Sequence, residues 1–325
     1  MFDVSVVICA YTEERWNDLV AAVQSVQRQS TQPREIIVVI DHNQRLLERV
    51  QAQMPGVIVV ENRQLPGASG ARNCGVAIAK GEIVAFLDDD AEAMPDWLER
   101  LTAGYTDPAV LGIGGFLEPI WLSRQPTWFP AEFYWALGCS HSGMPKSTAP
   151  IRNLICANMS LRRDVFEAVN GFRDGFGKVG TRFSAEETDL CIRALQKWPQ
   201  RVWLYEPAAK IRHKVSASRA SWRFYLSRCY DEGIGKARLS RMVGAADSLS
   251  NEYWYTFHIL PQAFLRGLGD AAFRRDLSGL GRAAAIAAGF AATAFGYIVG
   301  AVRERLTGQK RLNRSAGVRE ARPLA

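Results

Sequence analysis

Three aspartates in a row, Asp88, Asp89 and Asp90, follow directly on the apolar run EIVAFL. Two carboxylates about 4 Å apart repel by about 4 kcal/mol at an effective dielectric near 20, so a compensating charge is expected. In an extended segment residues i and i+2 point to the same face. Asp88 and Asp90 can then face one cation together, with Asp89 on the opposite face. A hard divalent ion, Mn²⁺ or Mg²⁺, takes one or two carboxylates plus phosphate oxygens. A solvated acidic turn ahead of PDWLERL is the other reading of the same letters. A second acidic group, Glu186, Glu187 and Asp189, opens the helical pattern EETDLCIRALQ. Carboxylates there either complement the helix dipole or deprotonate a bound hydroxyl. His213 follows WLYEPAAKIR and is either structural or a metal ligand. Arg72 follows the turn GASGA; the dinucleotide fingerprint G-x-G-x-x-G is absent, but an arginine near a helix start can hold a phosphate.

These side chains need elements to carry them. VSVVICA, EIIVVI, VIVVEN and EIVAFLD are apolar, β-branched runs, the pattern of strands buried on both faces. Helical patterns separate them: Trp16, Leu19, Val20, Val23 and Val26 recur at helical spacing behind a Thr12 cap, and QRLLERVQAQM and ARNCGVAIAK follow the later strands. Strand and helix in alternation predict a parallel, doubly wound α/β sheet. In such sheets ligands bind at the carboxyl ends of the strands, where Tyr11 and Glu13, then Asp41, then Asp88–Asp90 stand. Residues 119–150, rich in Trp, Pro, Phe and Gly, are expected to form a long, ordered, functional loop.

Charge is unevenly spread. From residue 210 onward 20 Lys and Arg face 8 Asp and Glu, a net +12, while the rest of the 325-residue chain sums to −5. A basic C-terminal third suits a bilayer surface or nucleic acid. Residues 283–302 hold no charge and are flanked by Arg282 and Arg303. That reaches the length of a membrane span, but Ala and Gly dominate, so spanning, interfacial and soluble packed forms all stay open. The six cysteines form no C-x-x-C pair and are expected to be free thiols in a reducing compartment. Strand-like sequence begins at once, with no basic stretch ahead of it, which predicts a protein of the cytoplasm or the cytoplasmic side of the cell membrane.

Taken in order, VSVVICAYTEE, EIIVVIDHN, GASGARNCGV, AFLDDDAEAMPDWL, ANMSLRRDVFEAVNGF, EETDLCIRA and YEPAAKIRH resemble the family 2 glycosyltransferases over residues 3–215. The resemblance implies a GT-A fold, a Rossmann-like, mostly parallel sheet with helices on both faces. The resemblance marks a catalytic domain (1–215), and the change of character after it predicts a helical, membrane-associated extension (216–306) and a basic mobile tail (307–325). The resemblance also implies an inverting transfer from a nucleoside-diphosphate sugar, with UDP favoured, and either Mn²⁺ or Mg²⁺. Tyr11, Glu13, Asp41, Arg72, Asp88 and Asp89 match nucleotide-sugar positions. Asp90 and His213 match metal positions, Glu187 the base, with Glu186 as fallback. In the second motif Ile40-Asp41 stands for the usual Asp-Asp, and His42 for a usual Gly. Within the family, AYTEERW, VVIDHN, WFP and CANMS are similar to glucuronosyl- and glucosyltransferases acting on dolichyl- or polyprenyl-phosphate-linked sugars, which implies a glycan or lipid-linked acceptor, a membrane surface and no nucleic acid. Trp128, Phe129 and Asn158 are the expected acceptor contacts. Two alternatives are a nucleotidyltransferase, which would carry a basic Gly-rich loop where this chain has acidic AYTEERW, and a non-catalytic carbohydrate-binding or scaffold relative.

Overall fold

The structure, a computed structural model, describes residues 2–173 and 185–320. Its first half is β1 (Val4–Ala10), α1 (Trp16–Gln27), β2 (Glu35–Ile40), α2 (Gln44–Gln53), β3 (Ile58–Glu61), α3 (Ala68–Ile78) and β4 (Ile83–Asp88). Neighbouring residues of these strands pack on opposite faces. Val6, Ile8, Val38 and Ile40 meet Leu19 and Val23 of α1 and Leu46 of α2. Val7, Ile37 and Val39 meet Ala71 and Val76 of α3 on the other side. The sheet is therefore a middle layer, and its apolar runs are continuous rather than alternating. Each fully buried Val, Ile or Leu contributes about 1.5–3 kcal/mol.

The second half closes the sheet with β5 (Ala91–Ala93), α4 (Trp97–Ala103), β6 (Val110–Trp121), β7 (Ala149–Ile151), β8 (Asn158–Arg162), α5 (Arg163–Ala168), α6 (Glu186–Lys197) and β9 (Val202–Val215). The strand order is β3-β2-β1-β4-β8-β6-β9-β5, with β7 on β9. Pairing is parallel from β3 through β4 and between β6 and β9, and antiparallel where β8 meets β4 and β6 and where β5 and β7 meet β9. The sheet is thus mixed: parallel where strand and helix alternate, antiparallel where the alternation lapses. Register between β6 and β9 jumps from Gly115–Glu206 to Phe116–Lys210, a bulge that accommodates Pro207.

The α-helices that follow among the described residues are α7 (Trp222–Val243), α8 (Ala245–Ser248), α9 (Ser250–Trp254), α10 (Leu260–Phe273) and α11 (Ser278–Glu320). The charge-free stretch 283–302 lies inside α11, and the basic tail expected from 307 begins in the same helix; residues 321–325 lie outside the described residues. Over Ser278–Leu306, α11 has a mean hydropathy of 1.8 and is, among the described residues, the one helix long and apolar enough to cross a membrane. It packs on α7 through glycines. A Cβ at Gly233 would sit 2.1 Å from the Thr293 carbonyl oxygen, and one at Gly296 would sit 2.2 Å from that of Tyr230. Only glycine permits backbones so close. α7, the partner in this seam, carries Arg223, Arg228, Asp231, Glu232, Lys236, Arg238 and Arg241.

Candidate active site

A cavity of about 1160 Å³ lies over the carboxyl ends of β1, β2 and β4, and Tyr11, Asp41 and Asp88–Asp90 line it. Each arrives there because a buried strand ends and the chain must turn. At the end of β2, Asp41 accepts from Asn62 Nδ2 (2.6 Å) and from the Gly67 backbone N–H (2.8 Å). Gly67 opens α3 at φ 121°, a conformation open to glycine alone, and that conformation aims its N–H at Asp41. His42 takes φ 52°, which explains why glycine suits the position, and its ring reaches the Gln64 carbonyl at 2.9 Å. Tyr11 is 48% exposed at the rim, and its carbonyl accepts from Asn43 Nδ2.

The acidic triad meets cations of this chain. β4 ends at Asp88, and Asp89 and Asp90 form a turn into β5. The strict strand alternation expected for the three therefore fails after Asp88, because the strand has ended. Asp89 and Asp90 instead share one guanidinium, Arg15 Nη1, at 2.9 and 3.0 Å. Asp90 also faces His213 Nε2 at 3.2 Å and Arg219 at 3.8 Å. Arg72 binds Asp88 at 3.2 Å and Glu186 at 2.9 Å. Burial works against the charge on Asp90, but His213, Arg15 and Arg219 outweigh it and hold its carboxyl well below the usual range. Burial likewise disfavours the His213 imidazolium, yet Asp90 raises it to about 10. Asp89 goes the other way, pushed up to about 7 by burial and by Asp90, with Arg15 opposing.

One oxygen or nitrogen each from Asp88, Asp90 and His213 lies within 4.8 Å of the others. The two carboxylate oxygens suit Mn²⁺ or Mg²⁺, and the imidazole, once its proton is displaced, adds a nitrogen that suits a transition metal more than Mg²⁺, so the residues fit a divalent cation. Cys139 Sγ stands 3.6 Å from His213 Nδ1 and sets the ring's other side.

α6 brings Glu186 and Glu187 to the same cavity. Glu186 is buried and tied to Arg72. Glu187 makes no ion pair among the described residues, and burial, then the neighbouring Glu186, push its carboxyl well above the usual range. Asp189, on the same turn, is structural: it pairs with Arg173 (3.0 Å) and Arg193 (2.8 Å) beneath the site.

The structure thus brings Tyr11, Asp41, Arg72, Asp88, Asp89, Asp90, Glu186, Glu187 and His213 to one cavity. Four expected residues are not there. Glu13 sits in the exposed 3-10 turn Glu13–Arg15, capped by Thr12. Asn158 is fully buried and fully engaged: its Oδ1 accepts from Trp97 Nε1, and its Nδ2 donates to the Phe116 and Ala209 carbonyls. It ties β8 to its neighbours and cannot meet an acceptor. Trp128 stacks on Trp222 of α7 at 4.2 Å, and Phe129 lies edge-on to Tyr225. Both are packing aromatics, turned inward because α7 covers that face. Phe133, Trp135 and Tyr255 line the cavity instead. Arg15 and Arg219 had no motif to mark them, although Arg15 is the one base in TEER, the acidic loop after β1.

Comparison with known proteins agrees with this fold. The glycosyl transferase family 2 profile matches residues 5–169. The chain is 34% identical over 255 residues to the glucosyl-dolichyl phosphate glucuronosyltransferase of Haloferax volcanii, covering 77% of this chain and 81% of that one. It is 30% identical over 203 residues to the succinoglycan biosynthesis protein ExoM of Rhizobium meliloti, 60% of each chain. Among solved structures, GalNAc-T7 with UDP, GalNAc and Mn²⁺ superposes with a TM-score of 0.54 at 16% identity, over 79% of this chain and 58% of that one. At that identity the likeness is one of fold, and the shared fold is GT-A.

Proposed function

This chain belongs to glycosyltransferase family 2, and we propose that it transfers a sugar from a UDP-sugar to a hydroxyl of a lipid-phosphate-linked sugar, with inversion and with Glu187 as base. One observation carries the reading: the carboxylates at the ends of β2 and β4 and the base-like Glu187 of α6 line a single cavity. The acceptor class is supported by the name of the Haloferax relative, and glucuronate or glucose is the sugar favoured on the same ground. Asp41 would accept from the nucleobase, with Tyr11 against its face. Asp88, Asp90 and His213 would hold Mn²⁺ or Mg²⁺, which when bound offsets negative charge on the departing diphosphate. Arg72 positions Asp88 and Glu186. Glu187 takes the acceptor hydroxyl's proton as its oxygen bonds to the anomeric carbon, while the bond from that carbon to the UDP oxygen breaks. One carboxylate suffices because the leaving group is already activated, unlike glycoside hydrolysis.

Calorimetric titration with UDP tests this. We expect binding with Mn²⁺ and a loss of at least about tenfold with chelator, a change of about 1.4 kcal/mol. Equal affinity in both would remove the cation from the donor site.

A bilayer surface fits the C-terminal helices. Phe273 (89% exposed), Leu277 (74%), Leu265, Phe295 and Ile298 of these helices are exposed apolar side chains, and Arg266, Arg274 and Arg275 neighbour Leu265 and Phe273 in the chain. Spanning by α11 would draw in the charged helix α7, to which it is bound by the glycine seam, and each Arg, Lys or Asp at mid-bilayer costs at least about 2.5 kcal/mol. We therefore read α11 as lying in the plane of the membrane, on the cytoplasmic side that the free cysteines of the described residues favour. Phe273→Glu with Leu277→Glu is expected to cut co-sedimentation with anionic vesicles at least about tenfold, since two apolar side chains supply about 3 kcal/mol or more. Unchanged sedimentation would move the contact to another face.

A further inference from the structure

The cavity continues past Glu187 to a second charged cluster, built by α7, α9 and the segment after β7. Arg152, Arg228, Lys236, Glu232 and Glu252 all line it. Arg152 holds Glu252 with two bonds, 2.6 and 3.1 Å. Arg228 holds Glu232 at 2.9 Å, and Lys236 bridges Glu232 and Glu252. All five side chains are largely buried, at 10–23% exposure. Burial opposes the charges on Glu252, Glu232 and Lys236, but Lys236 and Arg152 bring Glu252 down to about 2, Lys236 and Arg228 lower Glu232, and the two carboxylates raise Lys236. The cluster therefore keeps three cations against two anions at neutral pH, one positive charge in excess inside a cavity wall.

A purely structural tie between helices has no need of such a cluster. Replacing buried ion pairs by apolar residues is often neutral or stabilising. An excess cation with guanidinium groups suits a phosphate, which it meets through charge-assisted hydrogen bonds. The wall beside the cluster is apolar: Leu249, Leu260, Phe290 and Tyr297 line it, and Phe290 is 46% exposed. A head that is anionic and a tail that is apolar would find both surfaces in one continuous space.

We propose that Arg152, Arg228 and Lys236 bind the phosphate of a prenyl-phosphate-linked acceptor, with the prenyl chain leaving past Phe290 and Leu260 and the attached sugar directed at Glu187. This rests on the reading above that the acceptor is lipid-phosphate-linked. It adds a subsite through which the enzyme recognises the phosphate itself.

The test is calorimetry on the full chain saturated with UDP and Mn²⁺, so that the donor's phosphate positions are filled. Geranyl phosphate, geraniol and inorganic phosphate are titrated in turn. Geranyl phosphate is expected to bind at least about tenfold more tightly than either of the others, since charge-assisted bonds and tail burial act together. Lys236→Met is expected to erase most of the margin over geraniol, and Lys236→Arg to restore it. Equal binding of geraniol and geranyl phosphate to the wild type overturns the proposal, whether or not the variants fold. Inorganic phosphate binding as tightly as geranyl phosphate overturns the lipid assignment and leaves a free-anion site. A titration with UDP alone separates this from the transferase reading. Metal-dependent UDP binding with no preference for geranyl phosphate sinks only the subsite, and the reverse pattern sinks only the donor site.

Discussion

Glu187→Gln is expected to lower transfer by about 10²–10⁴-fold while leaving UDP affinity within about twofold of wild type. The amide keeps the size and shape of the side chain but cannot accept the acceptor's proton. In the proposed function, donor binding falls to Asp41 and the strand ends, which the substitution does not touch. The pH profile adds a second readout. Burial and Glu186 raise the Glu187 carboxyl well above its ordinary range. A base must be deprotonated to act, so wild-type activity should rise with pH along an acidic limb displaced above that of an exposed glutamate. Removing the negative neighbour with Glu186→Gln takes away one cause of the rise, and the limb should move to lower pH. Turnover like wild type in Glu187→Gln would assign the base elsewhere, and a limb that stays in place in Glu186→Gln would uncouple the two carboxylates.

Asp90→Asn is expected to cost about 3–5 kcal/mol of stability in metal-free protein, the usual result of breaking one partner out of a buried ion pair. Asp90 is buried against Arg15, His213 and Arg219. The isosteric amide leaves His213 without its counter-ion, whereas Arg15 retains Asp89. The pH dependence has a defined sign. The His213 pKa is raised from 6.5 to about 10 in the folded state, so its contribution to stability is full below about pH 6.5 and is lost as pH rises towards 10. On the acid side Asp90, held low, contributes above its ordinary value of 3.8 and loses that contribution as pH falls through its lower folded value. These two shifts describe one interaction from its two ends. Chemical denaturation with chelator between pH 6 and 10 checks it: wild type should lose stability across that window, and Asp90→Asn should be nearly flat. A variant within about 1 kcal/mol of wild type at pH 7 would show that His213 and Arg219 do not depend on this carboxylate.

The parts of this molecule legible in the sequence are those whose cause is local. β1, β2 and β4 announce themselves because a strand buried on both faces must be apolar at every position, and Asp41 and Asp88 are visible as the first polar residues after such runs. Contacts between distant segments left no such trace. Arg15 lies 74 residues from Asp89, the first aspartate it neutralises, so nothing in TEER marks it as the missing charge. The expectation that Trp128 and Phe129 stack on a sugar rested on their being aromatic in a loop. Their partners Trp222 and Tyr225 come from a helix about 95 positions later, and that helix turns them inward. Asn158, expected at the acceptor from its place in CANMS, instead makes three bonds that serve Trp97, Phe116 and Ala209. The pairing of β8 against β4, which makes the sheet mixed, is also a long-range choice.

The glycine seam has a consequence for which acceptors can be used. α11 shows Phe290, Thr293 and Tyr297 to the cavity and Phe295 and Ile298 to the outside. A helix with its side chains is about 10–12 Å across, and the seam with α7 leaves no slack to change that thickness. If the outer face rests on a bilayer, the catalytic cavity is held at a fixed height above it, about one helix diameter. The enzyme then measures altitude: a sugar one phosphate away from its lipid reaches Glu187, whereas a hydroxyl lying flush with the headgroups or far out on a long glycan falls outside its reach.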